Sequence, residues 1–82
     1  MDDHTVAVMG ELNKLIRSEA GKRVSIDQRF IESELDSFGI TVVLMELDDK
    51  YKIFRDIPVG KDPFETIDFK TFTVRQLVSL CL

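Results

Sequence analysis

The apolar positions fall into three stripes of helical period, separated by two irregular stretches. In the first stripe Val6, Met9, Leu12 (or Asn13), Leu15 and Ile16 recur at helical spacing between about Asp3 and Ser18, with Glu11, Lys14 and Arg17 on other faces. Asp2 or Asp3 can cap its start. Ala20-Gly21-Lys22 reads as its end, because glycine readily takes the left-handed conformation just past a helix. In the second stripe Ile40, Val43, Leu44, Leu47 and Tyr51 follow i, i+3, i+4, i+7, i+11, which predicts a helix from Ser37 or Phe38 to about Tyr51. The third places Val74, Leu77, Val78 and Cys81 behind the capping pattern Thr73-Val74-Arg75-Gln76, on a helix running to the C-terminus.

The stretch from Val24 to Asp36 has apolar anchors (Val24, Ile26, Phe30, Ile31, Leu35) that keep neither a period of two nor one of 3.6. It reads as a long ordered loop with a helical turn near Asp27-Gln28-Arg29, pinned across the helices by its anchors. Lys52 to Lys61 is a connector, since Pro58 and Gly60 block regular helix. Asp62-Pro63-Phe64-Glu65 then opens a short helix to about Ile67 or Asp68, with Asp at the cap, Pro at the first position and Glu at the third. The pattern predicts an all-α single domain over residues 1–82, with three main helices and one short third helix.

Composition narrows what such a domain does. One cysteine, Cys81, rules out an internal disulfide framework, and its place on the last stripe predicts burial. No Cys or His cluster points to a metal. No apolar run approaches a membrane span and Met1-Asp2-Asp3-His4 is unlike a signal peptide, so a cytoplasmic location is expected. The net charge of −4 is unevenly spread. Between Phe30 and Asp49 lie six acids (Glu32, Glu34, Asp36, Glu46, Asp48, Asp49) and no Lys or Arg, whereas the rest carries nine acids and eleven bases. That field argues against nucleic acid and for basic protein surfaces as partners.

Asp36-Ser37 before an apolar helix reads, taken alone, as a cap. A Ser-His hydrolase would have to recruit His4, the only histidine, from the chain terminus. Gly39 in the first helical turn costs about 1 kcal/mol relative to Ala, which marks a place where something approaches the backbone closely.

Together, Leu35-Asp36-Ser37-Phe38-Gly39 and the following Val43-Leu44-Met45-Glu46-Leu47-Asp48-Asp49-Lys50-Tyr51 resemble the acyl and peptidyl carrier proteins. The motif looks most like the Leu-Asp-Ser-Met-Gly form of D-alanyl carriers and free-standing peptidyl carriers. Phe38 stands where Leu or Met is usual, Thr41 and Val42 also depart from the pattern, and the connector is longer than usual. The resemblance implies a four-helix bundle of acyl-carrier type with 4′-phosphopantetheine, donated by coenzyme A, on Ser37. It implies a non-catalytic, monomeric carrier of acyl or aminoacyl thioesters, modified by a phosphopantetheinyl transferase. Its other partners would be a loading enzyme and a downstream acyltransferase, ketosynthase or condensation enzyme. Asp36, Phe38, Thr41, Met45, Glu46, Asp48 and Asp49 are the expected partner-reading residues, as exposed acids beside exposed apolar groups. The alternative is an acidic helical interaction module that is never modified.

Overall fold

The computed structural model describes residues 2–82. Among them are four α-helices, α1 (Asp3–Ser18), α2 (Ser37–Tyr51), α3 (Pro63–Thr66) and α4 (Val74–Leu80), with one 3₁₀ turn at Phe30–Ser33 and no β-strand. The fold is therefore all-α, as the stripes predict. It measures 32 × 27 × 21 Å. α1 packs against both α2 and α4.

Each helix starts on the cap its sequence signals. The Asp2 carboxylate accepts from Thr5 N–H at 2.7 Å, Asp62 from Phe64 N–H at 2.9 Å. Thr73 and Gln76 cap α4 reciprocally, at 3.1 and 2.8 Å. The core is Val8, Met9, Leu12 and Ile16 of α1, Val43, Leu44 and Leu47 of α2, and Val74, Leu77, Val78 and Cys81 around α4. Val6, expected in the core, is 53% exposed; Val8 takes the inward place. Met9, Leu12, Asn13 and Ile16 hold their expected inward places and Leu15 is half-buried, so the stripe departs from the expected one only at its start.

Two local expectations are refined. The turn expected near Asp27 is present, closed by Gln28 N–H on the Ser25 carbonyl at 3.2 Å, but a 3₁₀ turn follows it at Phe30–Ser33, and α4 stops at Leu80 with Cys81 as its cap. α1 does end at Ala20-Gly21, but the left-handed residue is Ala20 (φ 64), while Gly21 has no positive φ. Gly21 N–H donates to the Ile16 carbonyl at 2.8 Å and Ala20 N–H to Arg17 at 3.1 Å, the paired bonds of a Schellman ending. Gly21 is needed for space: a Cβ there would stand 2.6 Å from both Ile16 Cγ2 and Leu35 Cδ2.

The first loop is fastened at three places. Asn13, buried on α1, donates to the Val24 carbonyl at 3.0 Å and accepts from Val24 N–H at 2.8 Å. Phe30 is fully buried, and its N–H donates to the Phe72 carbonyl at 2.8 Å while Val74 N–H donates to Gln28. Leu35, the third fastening, wedges under the start of α2. Of the expected anchors, Ile31 alone is exposed. A file of aromatic rings, Phe54, Phe64, Phe69, Phe72 and Phe30, at successive centroid distances of 5.9, 6.4, 6.1 and 6.5 Å, ties the connector and α3 to this loop.

Candidate functional site

Ser37 is the first residue of α2, and it is exposed. The cap before it is Asp36, whose carboxylate accepts from Gly39 N–H at 2.7 Å while its carbonyl accepts from Ile40 N–H at 2.9 Å. Ser37 is thus relieved of the capping role that Asp36-Ser37 left open between them. None of the side-chain hydrogen bonds among the described residues uses its hydroxyl; its carbonyl accepts from the Thr41 hydroxyl at 2.9 Å. As the first residues of a helix, Ser37 and Phe38 have amides with no partner inside it.

What holds this helix start in place is Leu35. Its side chain is buried, and two glycines, Gly39 close by in the sequence and Gly21 further back, make room for it. A Cβ on Gly39 would lie 3.1 Å from Leu35 Cδ2 and 3.3 Å from the Asp36 carboxylate; one on Gly21 would lie 2.6 Å from Leu35 Cδ2. The close approach signalled by Gly39 is therefore real, and it comes from within the protein. Leu35 is the loop anchor the sequence led one to expect, and Gly21, read from the sequence only as a helix end, is a positioning residue beside it. Lys22 joins them from the same corner, donating its N–H to the Ser33 carbonyl at 2.7 Å and pairing through its ammonium with Glu34.

The acids around Ser37 are of two kinds. Glu34 pairs with Lys22 and Glu32 lies 3.9 Å from Arg29, so bases from outside the segment partly neutralise both. Asp48 accepts from Phe54 N–H at 3.1 Å and shapes the connector. Glu46 and Asp49 are exposed, with no ion-pair partner among the described residues. They share a flank of α2 with Phe38 and Met45, which are 73% and 59% exposed. Thr41 is half-buried beside them. The expected partner-reading residues thus divide into an exposed set without such bonds (Phe38, Met45, Glu46, Asp49) and a set with internal duties (Asp36, itself exposed, with Thr41 and Asp48).

The remaining reactive groups lie elsewhere. His4 packs edge-on against Tyr51, centroids 6.3 Å apart, and its Nε2 is 3.3 Å from the Cys81 carbonyl. Tyr51 ends α2, about 21 Å along the axis from Ser37 at 1.5 Å per residue. Burial pushes the Cys81 thiol up to about 11, so it stays protonated. Glu11 accepts from the Lys50 ammonium and from the Tyr51 hydroxyl at 3.0 Å, and the Lys50 bond above all holds its carboxyl below the usual range. Burial first, and then this bond to Glu11, raises Tyr51. No group of three or more His, Cys, Asp or Glu among the described residues is placed to hold a metal ion. No helix there is long and apolar enough to cross a membrane.

The site is therefore a lone hydroxyl at a helix start, held by a buried wedge and flanked by an apolar and acidic face. Compared with protein-family models, curated proteins and solved structures, the chain finds no match.

Proposed function

We propose that this chain is a carrier protein of the acyl and peptidyl carrier class, modified on the Ser37 hydroxyl with 4′-phosphopantetheine. The observation that carries the reading is the placing of Ser37: exposed, outside the capping bonds, first in a helix whose cap is the neighbouring Asp36. The helix order, long fastened first loop and short third helix support a bundle of acyl-carrier type.

The residues present fit the group. A phosphodiester on Ser37 Oγ would lie beside the partnerless amides of the first turn, where the helix dipole favours negative charge. Ser37 is exposed, so an arm on its hydroxyl can leave toward solvent. Ser37 needs an external base, because His4 stands at the other end of α2. A transferase using coenzyme A would supply that base and take the proton as the hydroxyl displaces the nucleotide portion. Once attached, the arm supplies a thiol that holds acyl or aminoacyl groups as thioesters. Phe38, Met45, Glu46 and Asp49 would then form the surface read by the transferase, by a loading enzyme and by a downstream acyltransferase, ketosynthase or condensation enzyme.

The test is incubation with coenzyme A and a promiscuous phosphopantetheinyl transferase, read by intact mass. The expected result is a gain of one phosphopantetheine, lost in Ser37→Ala. An unlabelled wild-type chain that is folded by circular dichroism, or a labelled Ser37→Ala chain, overturns the proposal. The first outcome would leave the unmodified interaction module standing.

A further inference from the structure

A groove of about 860 Å³ lies between α1 and the start of the first loop, and no residue of α2 lines it. Val6, Gly10, Asn13 and Arg17 of α1 form one wall, at i, i+4, i+7 and i+11; Lys14 flanks this wall and Arg23 stands on the loop side. The apolar floor includes Met9 and Val24. Lys14, Arg17 and Arg23 are exposed and have no ion-pair partner among the described residues. Gly10 sits in the middle of a helix, where glycine costs about 1 kcal/mol relative to alanine. A Cβ there would meet nothing within 4 Å, so no packing demand from its own fold explains it. Its absence deepens the groove.

The exposed flank of α2 repeats this layout with opposite chemistry. Phe38, Val42, Met45 and Asp49 also fall at i, i+4, i+7 and i+11, with Glu46 flanking; Val42 is half-buried and the other four are exposed. Position by position, 32 residues apart, Val6 answers to Phe38, Gly10 to Val42, Asn13 to Met45, Lys14 to Glu46 and Arg17 to Asp49. Where α1 is small and basic, α2 is bulky and acidic. Side by side and in the same direction, the two stripes put opposite charges level at both charged positions, and the bulky apolar groups of one beside the gap in the other.

We propose that the α1 groove is a docking site for the acidic face of α2 from a second copy of this chain. The contact is head-to-tail: each molecule offers a groove to one neighbour and an α2 face to another, so association closes into a ring or grows into short chains. Its charge terms are exposed and screened by salt, so the chain is monomeric when dilute and associates at high concentration and low ionic strength. The proposal does not depend on modification of Ser37.

Sedimentation equilibrium on the full chain tests it, from about 10 µM to about 1 mM protein, a span that detects weak association. The expected average mass rises with concentration at low salt and falls back to the monomer at about 1 M salt, where the screening length is about 3 Å. Reversing the groove (Lys14→Glu with Arg17→Glu) or the face (Glu46→Lys with Asp49→Lys) should weaken association at least about tenfold, since like charges then meet. The chain carrying all four changes should associate again. Gly10→Leu should also block association without altering charge, and its helix should be no weaker. A monomer at every concentration in low salt overturns the proposal. So does association that survives either reversal or Gly10→Leu, or a four-fold variant, folded by circular dichroism, that stays monomeric.

Discussion

Replacing Gly21 by alanine tests whether the Leu35 wedge is what places the start of α2, and the sign of the effect decides. Gly21 has no positive φ, so its backbone suits any residue. On backbone grounds alone, Gly21→Ala should stabilise the fold by about 0.4–1 kcal/mol, because the unfolded chain loses freedom. The contacts argue the reverse. The new Cβ would stand 2.6 Å from Ile16 Cγ2 and from Leu35 Cδ2, about 1 Å inside ordinary carbon–carbon contact at 3.5–4.0 Å. Ile16 is stiff at its branched Cβ and fully buried, and Leu35 is held against Gly39 on its other side. Overpacking of this kind costs about 1–3 kcal/mol, so the net expectation is a loss of about 1–2 kcal/mol. An 82-residue domain has only about 4–12 kcal/mol in all, so the change is measurable. Urea unfolding followed by far-ultraviolet circular dichroism gives the value, and a double-mutant cycle gives the cause. In a Leu35→Ala background, itself destabilised by about 2–4 kcal/mol, the Gly21→Ala penalty should fall by about 1 kcal/mol. It should not vanish, because the Ile16 methyl remains. A Gly21→Ala chain as stable as wild type, or a penalty unchanged when Leu35 is removed, would refute the wedge.

Asn13→Ala strips partners from both backbone groups of buried Val24 and should cost about 2–4 kcal/mol by the same urea assay, against under about 0.5 for Arg17→Ala on the exposed face. Ala20→Gly relieves a non-glycine residue at φ 64 and should stabilise by about 0.5–1 kcal/mol, net of the added freedom of the unfolded chain. Glu11 and Asp2 have carboxyls held below their ordinary values, Glu11 chiefly by the Lys50 ammonium and Asp2 chiefly by the Thr5 amide. A carboxyl depressed in the folded state binds protons more readily when unfolded, so its contribution is present above the ordinary carboxylate range and lost as pH falls through the folded value. Thermal melts below about pH 4.5 should therefore show falling stability, and Glu11→Gln should flatten that acid limb.

The helices were legible because each announces itself locally: the caps at Asp2, Asp36, Asp62 and Thr73 stand within three residues of the amides they serve. Ser37 was legible for the same reason, as a position relative to a cap. The first inward residue of α1 was not, because Val6 and Val8 are equally apolar and only the placing of α2 and α4 chooses between them. Nor was the division of labour at Ala20-Gly21. A left-handed φ beside a glycine is normally the glycine's; here Ala20 takes it, and what requires the glycine is the close approach of Ile16 and of Leu35, fourteen residues further on. Asn13 sat on the apolar period and could be read as an alternative to Leu12. Its amide is buried because Val24 presents an N–H and a carbonyl to it, which no local pattern reveals.

Two of these surprises, Gly21 and Asn13, share a cause with the expected anchor Leu35, and it bears on where Ser37 stands. Asn13, Gly21 and Leu35 all belong to the attachment of one loop, and that loop ends on the Asp36 cap. A loop of this length gains freedom quickly once a fastening is lost, because its own backbone makes few hydrogen bonds to itself. α2 supplies the rigid axis, but the loop sets where that axis begins and hence where the hydroxyl stands. A substitution at Asn13 or Gly21 acts on Ser37 through the loop and leaves the exposed face of Phe38, Met45, Glu46 and Asp49 chemically intact. A change on that face does the opposite, leaving stability alone and altering only what the surface offers. If Ser37 is modified as proposed, the two kinds of variant separate in a single comparison of urea midpoint with transferase labelling rate. Loop variants should lose both together, and face variants should lose the rate alone.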